Sequence, residues 1–173
     1  MTWRGSTTPL DRVFASLVYV FPMVEALLYY SGPLFRQLPF VEILFTPLFP
    51  FVIVYNLIRT IVPLGLGGLI IFVALLFFVV RNERVCHFVR FNTMQAILIG
   101  IVLSIFSLIW AFFATALPGL QNPTGASLLL RDTVFNVLFL GTMISSVYSI
   151  VQSIRGKYAE IPTISDAVYM QVR

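Results

Sequence analysis

Few residues in this chain of 173 could do chemistry. Glu25 is the one acid inside a long, otherwise uncharged membrane-type run, and an ionisable group at membrane depth marks a functional site by default. It could line a polar passage or pair with Arg36. Cys86 and His87 are adjacent, but a nucleophilic thiol needs a third group to orient its base, and the sequence offers none nearby. Asn92 and Gln95 have capping-box spacing and read as helix-start residues instead of a catalytic pair. A single histidine and scattered carboxylates give no zinc-ligand pattern, and a lone cysteine excludes an internal disulfide. The chain reads as non-enzymatic, with no cofactor or metal.

Two further runs carry small residues at every fourth position: Ala96, Gly100 and Ser104 on one, and Gly141, Ser145, Ser149 and Ser153 on the other. Such spacing puts each set on one helix face and permits close backbone approach. Two readings stand: packing of an antiparallel helical hairpin, or a semi-open polar path between helices.

The elements that must hold these residues are membrane helices. Hydrophobic residues make up 59% and charged residues 10%, against roughly 45–50% and about 25% in soluble domains. A helix needs ~20 apolar residues to cross a bilayer core. The pattern predicts an all-α integral membrane protein, one polytopic domain over 1–173, with spans at about 12–30, 60–80, 93–117 and 133–154. Thr8, Pro9 and Asp11 suit a capped helix start, and Pro22 should kink the first span. Gly65, Gly67 and Gly68 lie near the start of the second. Residues 40–58 are apolar but hold Glu42, Pro47 and Pro50, which predicts a broken helix, interfacial or re-entrant. Residues 118–125 form a loop by their turn residues, and Arg155-Gly156-Lys157 closes the last span. The run after Arg12 is too long for a signal-peptide core, so the first helix is expected to stay attached.

Charge decides between four and five spans. With four, Arg4, Arg12, Arg81, Arg84, Arg90, Arg155, Lys157 and Arg173 share one side, opposite Arg36, Arg59 and Arg131. The positive-inside rule then puts both termini on the cytoplasmic or equivalent side. The basic island around Arg81, Arg84 and Arg90 reads as a topology anchor that meets anionic lipid heads, or as a docking patch. The basic residues flank apolar runs, so the net charge of +4 points to membrane and not to nucleic acid. In the tail, Thr163 and Asp166 fit a capping box, and Ile164, Val168 and Val172 recur at helical spacing. This predicts a short amphipathic helix on the membrane surface or a docking element for another subunit.

Two segments carry a family resemblance. Val79-Val80-Arg81-Asn82 with Phe88-Val89-Arg90-Phe91-Asn92-Thr93-Met94-Gln95-Ala96-Ile97 is similar to the central motif of the Tic-twenty family, the twenty-kilodalton subunit of the chloroplast inner-envelope protein translocon. Gly156-Lys157-Tyr158-Ala159-Glu160-Ile161-Pro162 with Ser165-Asp166-Ala167-Val168-Tyr169 resembles its C-terminal signature. The resemblance spans nearly the whole chain and singles out Phe91, Asn92, Gln95, Tyr158, Pro162, Asp166 and Tyr169. It implies a cyanobacterial or plastid-encoded member with four membrane helices and both termini cytoplasmic or stromal. The host membrane would be a cyanobacterial plasma or thylakoid membrane, or a plastid inner envelope or thylakoid. It also implies a role in moving polypeptides, as a channel-forming or channel-lining part of a complex with other subunits or further copies, and it brings no catalytic residues. The alternatives are a structural or assembly subunit and a small-solute transporter, the latter expected to show an inverted repeat.

Overall fold

Thr8 sets where the first helix begins. Its hydroxyl accepts from the Asp11 N–H at 3.2 Å, the Asp11 carboxylate accepts from the Thr8 N–H at 2.9 Å, and Pro9 takes the first helical position. The computed structural model describes residues 7–62, 67–162 and 164–172, and the regular structure among them is helical. Helices α1 (Pro9–Leu17) and α2 (Val20–Tyr30) are two halves of one membrane-length rod. Pro22 explains the break: its ring crowds the carbonyl four residues back, that of Val18. The Phe21 N–H takes that carbonyl instead, at 3.3 Å.

Beyond the short α3 (Gly32–Gln37), proline shapes the chain again. Residues Pro39–Leu48 wind as a 3₁₀ segment containing Pro47, and α4 (Phe49–Ile61) follows with Pro50 in its first turn. Helix α5 (Gly67–Ala74) continues as a π turn over Leu75–Val80. Then come the long α6 (His87–Ala116), a single turn α7 (Pro118–Gln121), the long α8 (Ala126–Ile154) and α9 (Ile164–Gln171). Four stretches are long and apolar enough to cross a membrane: Pro9–Tyr30, Pro39–Ile61, α6 and α8; Gly67–Val80 is a shorter apolar helix.

The expected continuous span at 60–80 is therefore corrected. Helix α4 ends at Ile61, where Val62 turns extended, and the next described helix, α5, runs from Gly67. Packing shows how the two divide one crossing. At one end of the bundle, Ala15 packs with Phe88 and Val89, and Val168 of α9 and Val172 just after it pack with Val80 and Phe91. At the other end, Arg36 bridges to Asp132 at 3.3 Å. The chain thus leaves the first end along α1–α2 and is back there by Arg81, which allows one net return between them. A Cβ on Gly67 would lie 2.9 Å from Arg59 Cα, and one on Gly68 would lie 2.9 Å from the Tyr55 hydroxyl. The same Gly68 position is 3.2 Å from Glu25 Oε1, and Glu25 in turn faces Gly100 of α6. Gly100 lies about 20 Å along α6 from His87 at ~1.5 Å per residue, close to the middle of the membrane. The 3₁₀ segment with α4 makes the far half of the return, and α5 with its π turn makes the near half. The Pro-broken segment is re-entrant in this sense.

The expected α6–α8 hairpin is also corrected. Helices α1 and α2 wedge between α6 and α8 and pack more extensively on α8 than α6 does. A polar knot fixes the wedge. The Asn92 side-chain oxygen accepts from the Tyr19 hydroxyl and from the Ser153 hydroxyl, each at 2.9 Å, and its amide donates to the Phe88 carbonyl at 2.8 Å. Asn92 and Gln95 are fully buried inside α6, which starts at His87 after Cys86, so neither is a helix cap.

The tail folds back onto its own chain and is not a free surface helix. Tyr158 packs edge-on against Phe88 and Phe91, its hydroxyl lies 3.0 Å from His87 Nδ1, and Tyr169 packs on Phe91 with ring centroids 4.8 Å apart. The chain can turn into this docking because Gly156, at φ +70°, closes α8. The Lys157 N–H bonds the Gln152 carbonyl and the Gly156 N–H bonds that of Ser153, a Schellman closure. The Thr163 cap, and Arg4 and Arg173 of the charge argument, lie outside the described residues.

Replacing Asn92 by Ala strands two buried hydroxyls, and a buried polar group left unpaired costs about 1–3 kcal/mol. Reversible unfolding in mixed micelles should show Asn92→Ala destabilised by at least that amount and Ser153→Ala by less. Equal, small losses in both would contradict the knot.

Candidate functional site

A half-open cavity of about 450 Å³ lies between α2, α4, α5 and α6. Its polar group is Glu25, 8% exposed, whose Oε1 accepts from the Tyr55 hydroxyl at 3.0 Å. Tyr29, Tyr30, Ser104 and Ser107 add further hydroxyls to the wall, and Phe21 and Phe72 add rings. Arg59 covers the neighbouring Tyr29 ring at 5.5 Å. The expected Glu25–Arg36 pairing is corrected, since Arg36 serves Asp132. Lipid offers a carboxyl group no hydrogen bond, so the Tyr55 hydroxyl and the cavity are what let Glu25 stay at this depth.

The glycines beside Glu25 are there for space. A Cβ on Gly100 would lie 3.2 Å from Phe21 Cε1 and 3.3 Å from Glu25 Oε2. Ala96, on the same face, is buried against Tyr19, and Ser104 reaches the cavity. The second stripe splits. Gly141 meets nothing within 4 Å, Ser145 bonds back to the Thr142 carbonyl, and Ser149 and Ser153 are buried near the Asn92 knot.

A second, mostly apolar groove of about 590 Å³ opens at the end that carries the basic island. Helix α1 and its C-cap line it with Asp11, Phe14, Leu17 and Val18, α5 and its π turn with Ile71, Leu75 and Val79, and the island with Arg84 and Cys86. Burial pushes the Cys86 thiol pKa up, which disfavours the thiolate a nucleophile needs. Among the island's other cations, Arg90 Nε donates to the Val80 carbonyl at 2.7 Å, and Arg81 lies 5.6 Å from the Phe77 ring. Arg90 thereby closes the end of the π turn. Phe91, Tyr158 and Tyr169 form the aromatic clasp already described, whereas Pro162 and Asp166 are exposed. Among the described residues, no three His, Cys, Asp or Glu side chains cluster to hold a metal.

Sequence reasoning found Glu25, Gly100 and Ser104 but missed Tyr19, Phe21, Tyr55 and Gly68. Tyr55 carried a signal: it is a hydroxyl-bearing ring inside an apolar, proline-broken stretch.

The sequence model described as "Chloroplast import apparatus Tic20-like" matches residues 9–168. The chain belongs to the Tic20 family. A "Tic20 family protein" of Synechocystis sp. (strain ATCC 27184 / PCC 6803 / Kazusa) is 42% identical, over 94% of this chain and 93% of the relative. "Tic20 family protein Ycf60" of the red alga Gracilaria tenuistipitata var. liui is 36% identical over 95% and 76%. "Protein TIC 20-v, chloroplastic" of Arabidopsis thaliana is 30% identical over 94% and 71%. The Tic20 match takes in the Glu25 cavity, the Asn92 knot, the island, and Phe91 and Tyr158 of the clasp, ending one residue before Tyr169.

Because their surroundings differ, two glycine substitutions should part company. Gly100→Leu must displace Phe21 and Glu25, a small-to-large change that costs about 1–3 kcal/mol or more, while Gly141→Leu should stay within about 0.5 kcal/mol. Micelle unfolding midpoints for both variants check this, and equal effects would restore a simple α6–α8 hairpin. Glu25→Gln keeps an oxygen for Tyr55 and should be near neutral, but Tyr55→Phe should lose about 1–3 kcal/mol by stranding Glu25.

Proposed function

We propose that this Tic20-family protein is a non-enzymatic membrane component of a protein translocation complex, contributing one wall of a path for polypeptides. The observation that carries this reading is the half-open cavity at mid-membrane, whose wall holds a carboxyl group and several hydroxyl-bearing side chains. Polar groups at that depth are costly, and they mark routes for polar cargo. The family description names a chloroplast import apparatus, and relatives from plants bear chloroplastic names. The cavity has the volume of a small-ligand pocket and is not a through pore. Other membrane subunits or further copies of the chain complete the path. The end carrying the island and tail faces the stroma or cytoplasm by the positive-inside rule, in a plastid or cyanobacterial inner membrane.

One feature favours a second reading, a structural or assembly subunit. The Pro39–Ile61 stretch is only 11% buried, against 56% for Pro9–Tyr30, and presents Ile43, Leu44, Ile53, Leu57 and Ile61 outward. That face suits contact with another membrane helix as well as with lipid.

Photo-crosslinking amino acids decide between the two. With a precursor stalled in transit, probes at Leu69 and Ser104 on the cavity wall should form adducts to the precursor, and a probe at Val137 on the outer face of α8 should not. Adducts only to fixed neighbouring subunits, at Ile53 and with none at Leu69 or Ser104, would sink the path and leave the assembly role.

A further inference from the structure

Among the described residues, a single side chain belongs to the walls of both the mid-membrane cavity and the island-end groove: Phe21. On one side its ring faces the cavity with Glu25, Gly68 and Phe72; on the other it ends the α1 row Phe14, Leu17 and Val18. Its position is set by the Pro22 break, since the Phe21 N–H is held by the Val18 carbonyl at 3.3 Å. The ring is framed by Tyr55 and Gly100. It lies against the Tyr55 ring with centroids 6.3 Å apart, and opposite it Gly100 supplies only a hydrogen where a Cβ would come within 3.2 Å. The other partition between the two spaces is α5, which borders both, the cavity through Leu69 and Phe72 and the groove through Ile71 and Leu75. This helix runs from a glycine pair into a π turn, a geometry found mostly as single-turn interruptions at functional sites.

We propose that Phe21 is the constriction of one two-chambered passage that runs from the island end to mid-membrane. With the ring across the junction the chambers are separate. With the ring turned out of the space beside Gly100 and into the cavity, the groove and the cavity become continuous, and Glu25 gains access to the water at the island end. The side chain acts as a positioned plug and makes no bond with what passes. The inference deepens the polypeptide-path reading and rests on it only for the identity of the passenger.

Thiol accessibility tests the connection without any passenger. In a Cys86→Ser background, a single cysteine replaces Ser104 in the cavity or Leu17 in the groove. A membrane-impermeant maleimide is added to sealed vesicles from the island side alone. Leu17→Cys should label at one rate whatever stands at position 21, and that constancy also reports that the fold is kept. Ser104→Cys should label slowly with Phe21, about tenfold faster with Phe21→Ala, at an intermediate rate with Phe21→Leu, and no faster than the parent with Phe21→Trp. A Ser104→Cys rate independent of residue 21, or already matching Leu17→Cys with Phe21 present, would overturn the constriction. Should Phe21→Ala disturb Leu17→Cys labelling, the Leu and Trp variants carry the test. Gated labelling combined with absent precursor adducts at Ser104 would leave the constriction standing and sink the polypeptide reading alone.

Discussion

The oxygen of Asn92 is the point on which the architecture turns. It accepts two hydroxyls from two other helices, Tyr19 at the α1–α2 break and Ser153 near the end of α8. In a bilayer those hydroxyls have no water to fall back on, so the three helices can satisfy them only in one relative register. That register brings Phe21 and Glu25 opposite Gly100. From there follow the position of Tyr55, that of α5 beside it, and the cavity between α2, α4, α5 and α6. The cavity is thus a by-product of where a buried amide ties the bundle together.

Much of this was legible in the sequence, for physical reasons that differ from element to element. Lipid demands long uncharged helices, so the all-α class and the long α6 and α8 were plain from composition and run length. The capped start at Thr8 and the Pro22 break follow from local backbone chemistry and stand in the structure where expected. The common end of the first helix, the island and the tail was legible from charge asymmetry alone. What failed depended on partners far apart in the chain. Small-residue stripes show that something packs closely but not what, and α1–α2 took the place assigned to the neighbouring hairpin. Asn92 and Gln95 looked like caps because their spacing suits one, but the preceding residues from His87 on are already helical. Glu25 was visible as an anomaly, but its partner Tyr55 lies thirty residues on, in a segment whose prolines hide its register.

The membership in the Tic20 family and the cavity bear on one another. A chain whose own void is of small-ligand size cannot alone surround a polypeptide, and its least buried stretch, Pro39–Ile61, is the one that forms the far half of the return crossing. The protein presents a polar inner face near Glu25 and apolar outer faces on α4 and α8.

The aromatic clasp has a consequence for the order in which the molecule can be made. Tyr158, Val168 and Tyr169 cover the near end of α6, and all three are translated after α8. During synthesis α6 must therefore enter the membrane before these three partners of Phe91 exist. That end is sealed only when the returning chain has crossed twice more. The nascent protein carries an open hydrophobic edge through the middle of its own biogenesis, and whatever shields that edge has to leave before Tyr158 can take its place.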